Sequence, residues 1–291
     1  MATAEKAHTT GAVMQEDVFG GMLTWYNTVV YERHDPRTSE WFLVSNPWLI
    51  FGLMGAYLLL VLKILPKFME NRKPYSLRGT LIGINIFQIV ANAWIVYEMI
   101  VCGWGRHYKF LCQPVDYTRS YLSMRMARAV YYFFLIKIFD FSDTVLFVLR
   151  KKYNQVTFLH VFHHITTLWL AWIVVKYAPG GTGTFAQMMN AVIHVLMYGY
   201  YLLAALGPWI QPYLWWKKYL TTMQMVQFVI GWTQNVYGLM TGCDYSRPIV
   251  YFYLPILTSH FILFYNFYQK SYVSKDKQKG EDTLKKRNKK D

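Results

Sequence analysis

Residues 158–175 read FLHVFHHITTLWLAWIVV. The stretch approaches the roughly 20 mostly apolar residues that a bilayer-crossing helix needs, yet it opens with His160, His163 and His164. At about 100° per residue, His163 falls about 60° to one side of His160 and His164 about 40° to the other, so the three share one sector of the helix. Ionisable side chains inside a span are costly and must find polar partners within the protein. A single intramembrane histidine is often a packing hydrogen bonder. Three on one face point to a site.

Six further apolar runs accompany this one, at 48–65, 80–101, 126–149, 185–206, 219–240 and 249–268. Pro47 and Pro66 punctuate the first of them. The expected fold is all-α: a polytopic membrane protein with seven transmembrane helices. Composition agrees, since 54% of residues are hydrophobic and only 16% are charged, against roughly 25% charged in soluble domains. The 24 Tyr and 11 Trp hold the mean hydropathy to +0.15, and such rings suit membrane interfaces and polar cavities. No soluble domain, internal repeat, P-loop or GxGxxG interrupts the pattern. Residues 1–40 are polar and mixed, without the features of a cleavable signal peptide. Three cysteines are too few for a disulfide scaffold or an all-cysteine zinc site.

An odd number of spans puts the termini on opposite faces. Eighteen Lys and Arg lie outside the spans on one side, in 66–79, 150–157, 207–218 and the tail after 268, and nine on the other. The positive-inside rule then predicts a cytosolic C-terminus and a lumenal or extracellular N-terminus. The net charge of +14 follows mostly from these loops and the tail, so a nucleic-acid partner is not expected. The charge run at 275–291 reads as a solvated, disordered tail. Its last residues resemble a dilysine retrieval signal, with Arg287 and Asn288 standing where the second lysine would be.

Three other spans carry polar stripes. Asn190, His194 and Tyr198 step by four in the fifth. Lys137, Asp140 and Thr144 share a face of the third, with Asp143 off it. A lysine with a carboxylate three residues on can pair locally, which lowers the cost of burying either, and an interhelical ion-pair staple is the plain structural alternative. Thr221, Gln224 and Gln227 line up in the sixth. Turning these faces inward and the apolar faces to lipid gives a shared polar interior. In the seventh span His260 and Pro255 read as structural.

A histidine cluster raises the question of metal. The HxxHH string also occurs in membrane desaturases and hydroxylases, which hold two irons with about eight histidines. This chain has eight in all, and His8, His34 and His107 fall outside the spans. A di-iron shell is therefore not expected. A mononuclear zinc on three histidines and an aspartate stays open. Otherwise neutral imidazole supplies a base or nucleophile near neutral pH. No GxSxG elbow exists, and Cys102, Cys112 and Cys243 lie near the opposite ends of their spans. Acyl transfer here would rest on histidine or proceed without a covalent step.

Four strings in this order resemble the membrane very-long-chain fatty acid elongases, the 3-oxoacyl-CoA synthases of the endoplasmic reticulum. They are His160-Val161-Phe162-His163-His164; Lys137, Asp140, Asp143 and Thr144; Asn190, His194, Met197, Tyr198, Tyr200 and Tyr201; and Gln224 with Gln227. The resemblance runs from about Pro47 to Tyr268. It departs at Asp140, where the family pattern usually has Glu. It implies a single membrane domain over 1–291, with a core at 47–268 and a cytosolic basic tail at 269–291. It also implies that six of the seven helices surround an acyl tunnel closed at the lumenal end.

The implied reaction is an acyltransferase condensation of long-chain acyl-CoA with malonyl-CoA, giving 3-oxoacyl-CoA, CO2 and CoA. No metal or resident cofactor is implied. The implied partners are membrane lipids and the ketoreductase, dehydratase and enoyl reductase that complete the cycle; homo-oligomerisation is left open. The catalytic candidates are His163 and His194 as nucleophile or base, with His160, His164 and Asn190 positioning them or stabilising an oxyanion. The substrate contacts carried over are Lys137, Asp140, Asp143, Arg150, Lys152, Gln155, Tyr200, Lys217, Thr221 and Gln224. The resemblance also supports a Cys112–Cys243 disulfide, leaving Cys102 as the odd thiol. The rival readings are a metal-dependent membrane hydroxylase or desaturase and a non-enzymatic lipid carrier or receptor.

Overall fold

The computed structural model describes residues 34–274, so the 275–291 charge run and His8 lie outside the described residues. Within them every regular element is helical. Asn46 caps α1 (Pro47–Leu59), its side chain accepting from the Trp48 amide at 2.9 Å. The chain then widens into a π turn at Leu60–Ile64 before α2 (Leu65–Met69). Pro66 has no amide hydrogen to give the preceding turn, and the π turn accommodates that loss without ending the rod. The expected stop at Pro66 therefore moves on to Met69. α3 (Arg78–Met99) likewise runs into a π turn at Ile100–Trp104. α4 (Tyr121–Phe139) and α5 (Phe141–Leu149) meet at Asp140, where the sequence had suggested one continuous helix.

Thr157 caps α6 (Phe158–Tyr177) by accepting from the His160 amide at 3.2 Å. The first turn of the histidine helix is thereby fixed through the hydroxyl one position before it. α7 (Gly183–Ala205), α8 (Lys217–Met240) and α9 (Arg247–Tyr268) complete the set, with a π turn at Gln269–Val273 extending α9.

Five of these rods are long and apolar enough to cross a membrane: Pro47–Met69, Arg78–Trp104, Phe158–Tyr177, Gly183–Ala205 and Arg247–Val273. The expected third and sixth spans form helices but fall short of that mark. The third carries Arg125, Arg128 and Lys137 and breaks at Asp140. The sixth starts on Lys217 and Lys218 and is interrupted by glutamines and threonines. Polarity is turned inward: on α3, Val90 is 63% exposed while Gln88, two residues away, is fully buried. Such burial of polar groups under an apolar exterior is the arrangement a bilayer favours.

Neighbouring contacts close a ring of six helices in the order α3, α7, α8, α9, α6, α4 and back to α3. The first rod stands outside that ring, with α2 against α5. At the end where α6 begins and α7 ends, Arg78 donates to the last carbonyls of α7, those of Ala205 and Leu206, at 2.9 and 2.6 Å. A cation there meets the orphaned acceptors of a helix C-terminus.

At the opposite end lies a strap at 34–46, to which the sequence reading assigned no structure. The Asp35 amide and the Thr38 hydroxyl donate to the Lys176 and Val175 carbonyls at 2.8 and 2.7 Å, completing the C-terminus of α6. Arg37 is clamped on Asp35 and reaches the Asp116 and Thr118 carbonyls at 2.5 and 3.2 Å. Lys176, counted from sequence as a loop cation, is buried and donates to the Ser45 carbonyl at 2.9 Å.

Cys112 and Cys243 are bonded at this end, 131 residues apart with Cα atoms 5.7 Å from each other. Gly181 sits beside them at φ 62°, where a Cβ would collide with the Gln113 carbonyl. A closed loop of this length allows about 4–5 kcal/mol by the chain-entropy account, an upper figure for a membrane-restrained chain. Non-reducing peptide mapping is expected to recover the two cysteines in one linked pair. Free alkylation of both without reductant would contradict it.

Candidate active site

The break between α4 and α5 assembles a buried polar cluster. Lys137 and Asp140 are 2% and 1% exposed, and Lys137 Nζ donates to Asp140 Oδ2 at 3.0 Å. Asp140 Oδ1 accepts from Gln88 Nε2 of α3 at 2.7 Å and from the Tyr198 hydroxyl of α7 at 3.3 Å. The aspartate thus reaches three neighbours despite its short arm. The Tyr198 hydroxyl also donates to Asp143 Oδ2 at 2.7 Å. Asp143, placed off the polar face by continuous-helix geometry, joins the cluster through that tyrosine. His194 enters from α7 with Nε2 3.4 Å from Lys137 Nζ and Nδ1 3.8 Å from Asp140 Oδ2. A buried pair of this kind is tolerated in a low-dielectric interior when neighbouring groups hydrogen-bond to it, as Gln88 and Tyr198 do to Asp140.

The α6 histidines divide between two settings. His160 Nε2 lies 2.9 Å from the Thr144 hydroxyl of α5, which is 2.8 Å from the Tyr57 hydroxyl of α1. His164 packs between its neighbours, 4.3 Å from the His160 ring and 5.9 Å from the His163 ring. His163 faces another way, with its ring 4.9 Å from that of His260 on α9. His260 Nε2 lies 2.9 Å from the Thr166 hydroxyl.

His163 and His260 line a cavity of about 80 Å³ between α6, α7, α8 and α9, with Phe133 of α4 in its wall. Along α6 the lining runs from His163 to Val174, roughly 16 Å at about 1.5 Å per residue. Asn190 and Gln227 add polar groups, while Leu170, Phe228 and Leu257 are among the apolar ones. His163 Nδ1, Asn190 Oδ1 and His194 Nδ1 are buried and make no hydrogen bond. Unpartnered buried polar atoms are rare in protein interiors, and two of these three, on His163 and Asn190, belong to residues lining the cavity.

The remaining candidates gather where α5 ends, α6 begins, α7 ends and α8 begins. Arg150 is half-buried at the end of α5, and Lys152 and Gln155 are exposed in the turn before α6. Lys217 is exposed at the start of α8, one turn from the buried Thr221, and Gln224 is half-buried. Tyr200 is half-buried with its ring 5.1 Å from that of Trp216. None of Arg150, Lys152 and Lys217 has an ion pair among the described residues.

Sequence reading missed Gln88 and Asn92, whose i, i+4 spacing within a span was the available signal. Asn92 Nδ2 donates to the Gln88 carbonyl at 2.8 Å and to its Oε1 at 3.1 Å, steadying the amide that holds Asp140. It also missed Tyr57. His260, read as structural, belongs to the cavity wall.

A ring of apolar-faced helices around buried histidines and a cavity is the arrangement of a polytopic membrane protein. The GNS1/SUR4 family profile, ELO, matches residues 42–280, and the chain belongs to that family. It is 44% identical over 241 residues to very long chain fatty acid elongase 1 of Mus musculus, covering 82% of this chain and 86% of that one. It is 43% identical over 246 residues to very long chain fatty acid elongase 1 of Homo sapiens, covering 84% and 88%. With very long chain fatty acid elongase 7 of Drosophila melanogaster the identity is 41% over 245 residues, covering 84% and 74%.

Proposed function

We propose that this chain is a very-long-chain 3-oxoacyl-CoA synthase: an acyltransferase that condenses long-chain acyl-CoA with malonyl-CoA, releasing CO2 and CoA. The observation that carries the reading is His163, whose Nδ1 has no partner, in the wall of a long cavity with mostly apolar surroundings. A thioester carbon held at such a nitrogen has its alkyl chain running away along α6.

Chemistry through histidine is part of the proposal. His163 or His194 attacks the thioester carbon; the C–S bond breaks, CoA leaves and an acyl-imidazole forms. Malonyl-CoA loses CO2 in a site that solvates its carboxylate poorly. The enolate carbon left behind attacks the acyl carbon, and the imidazole departs. Asn190 offers an amide to the oxyanion, and the Lys137–Asp140–Tyr198 cluster orients His194. No resident cofactor takes part.

The ring of helices is read as the wall of an acyl tunnel, with seven spans once the two polar-lined rods are included. The Lys and Arg asymmetry supports a cytosolic mouth and C-terminus and a lumenal N-terminus in the endoplasmic reticulum. The Cys112–Cys243 bond at the other end fits an oxidising lumen. A single membrane domain with a basic tail, acting with the reductases and dehydratase of the cycle, completes the reading. The test is incubation of membranes bearing the protein with a panel of acyl-CoAs and labelled malonyl-CoA. Labelled 3-oxoacyl-CoA two carbons longer than the substrate is expected; its absence for every acyl-CoA would refute the function.

Arg150 and Lys217 stand at the proposed mouth as cations suited to CoA phosphates. Arg150→Ala and Lys217→Ala are each expected to weaken acyl-CoA binding, by about 1.5–3 kcal/mol where the contact is charge-assisted and shielded. The measurement is KM against kcat. A fall in kcat at saturating acyl-CoA with KM unchanged would remove them from CoA binding.

A further inference from the structure

The end of the cavity farthest from His163 carries polar groups among apolar ones, which an alkyl terminus does not require. On α7, Gly183, Gln187, Asn190 and His194 follow one another at four, three and four residues. They form one stripe from the closed end to the histidines. Gly183, Gln187 and Asn190 line the cavity, and so does Tyr245 from the loop before α9. The Tyr245 hydroxyl stands on Gly183, where any Cβ would overlap it. Tyr245 and Gln187 are 6% and 7% exposed, yet the Tyr245 hydroxyl and Gln187 Oε1 have no hydrogen-bond partner. A second void, of about 10 Å³, shares Tyr245 and Asn235 with the first and touches Gln234, whose Oε1 is also unpartnered. Three buried polar oxygens without partners thus collect where the cavity ends. Native interiors leave few such groups, and each calls for a cause.

We propose that this blind end recognises a polar chain terminus, making ω-hydroxyacyl-CoA thioesters a second substrate class for the condensation. The proposal rests on the elongase reading above. A terminal hydroxyl donates to Gln187 Oε1 and accepts from the Tyr245 hydroxyl; a terminal methyl does neither. A methyl driven to the same depth leaves both oxygens orphaned and shuts out water, so the same residues also set a stop for plain chains. Sites built to bond a substrate hydroxyl discriminate strongly against the analogue lacking it, because the unmet polar groups carry the penalty. The bonds made and broken at the thioester are those of the ordinary condensation.

The experiment uses the full-length protein in membranes with malonyl-CoA and matched pairs of acyl-CoAs, ω-methyl and ω-hydroxy, over a series of lengths. The ratio of kcat/KM, hydroxy over methyl, is expected below one for chains ending short of Gln187, where the hydroxyl is buried without a partner. It should rise to about tenfold at the length that reaches Tyr245, the worth of one net hydrogen bond. The near-isosteric Tyr245→Phe and Gln187→Met should each bring the ratio down to one or below. A ratio of one or less at every length would overturn the proposal, and that result needs no variant. A raised ratio that survives both substitutions would also overturn it. Failure of every ω-methyl substrate to condense would instead overturn the elongase reading, so the two failures are told apart.

Discussion

His163→Ala removes condensation, lowering kcat by roughly 10²–10⁴-fold or more, the range over which positioned acid–base groups contribute. The side chain touches the ring of His260 and the cavity, and its Nδ1 makes no hydrogen bond. Its loss therefore enlarges an existing space and breaks no bond at that atom, and the variant should keep its fold. His194→Ala behaves alike in activity, while Lys137 and Asp140 keep each other. If the two imidazoles act as one unit, the double variant is little worse than either single one. Product formation per folded protein, with folding checked by detergent size-exclusion and helical circular dichroism, is the measurement. More than a few per cent of activity in a folded His163→Ala protein would remove the residue from the chemistry.

The second large effect falls on stability. Asp140→Ala strands the Lys137 ammonium in a dry interior and costs Gln88 and Tyr198 a shared acceptor. Breaking a buried pair from one side typically costs about 3–5 kcal/mol. The variant is expected to fold poorly, with a thermal midpoint many degrees lower. Lys137→Met with Asp140→Leu removes both charges together and should recover much of the fold. Activity should not return, because His194 loses the groups 3.4 and 3.8 Å away that orient it. A stable, fully active Asp140→Ala protein would show the cluster to be dispensable. Recovery of activity in the double variant would show it to be a structural staple only.

The helices were legible because a bilayer enforces apolarity over a known length, and six of the seven runs differ from the observed rods only at their ends. Pro66 misled at one such end, since a π turn absorbs the lost hydrogen bond and the rod continues to Met69. The third run was read as one helix, and that fixed the wrong face for Asp143. The break at Asp140 and the bridging Tyr198 bring both carboxylates together, and neither follows from period alone. Histidines on α6 and α7 stood out because ionisable groups are rare in spans. Gln88 and Asn92 did not, because polar glue between helices is common. The 34–46 strap was invisible: its contacts are backbone carbonyls of α6, which carry no side-chain signature. His260 looked ordinary as a single histidine, and only packing placed it 4.9 Å from His163.

The inward polarity also explains why the site sits where it does. Lys137, Asp140, His160 and His194 come from three rods of the ring, so no single helix carries the chemistry. Their geometry depends on the ring closing, and the closing depends on caps at both ends: Arg78 on α7 and the strap on α6. The α6 histidine face therefore borders the polar cluster on one side, through His160, and the cavity on the other, through His163.

The most direct measurement is the release of free CoA from acyl-CoA mixed with purified protein in the absence of malonyl-CoA, followed by an acid quench and peptide mapping. Histidine-borne condensation requires release of up to one equivalent of CoA per active site and an acyl mass on the peptide holding His163 or His194. No CoA release with an enzyme that then condenses normally on adding malonyl-CoA, or an acyl mass on Cys102, would contradict it.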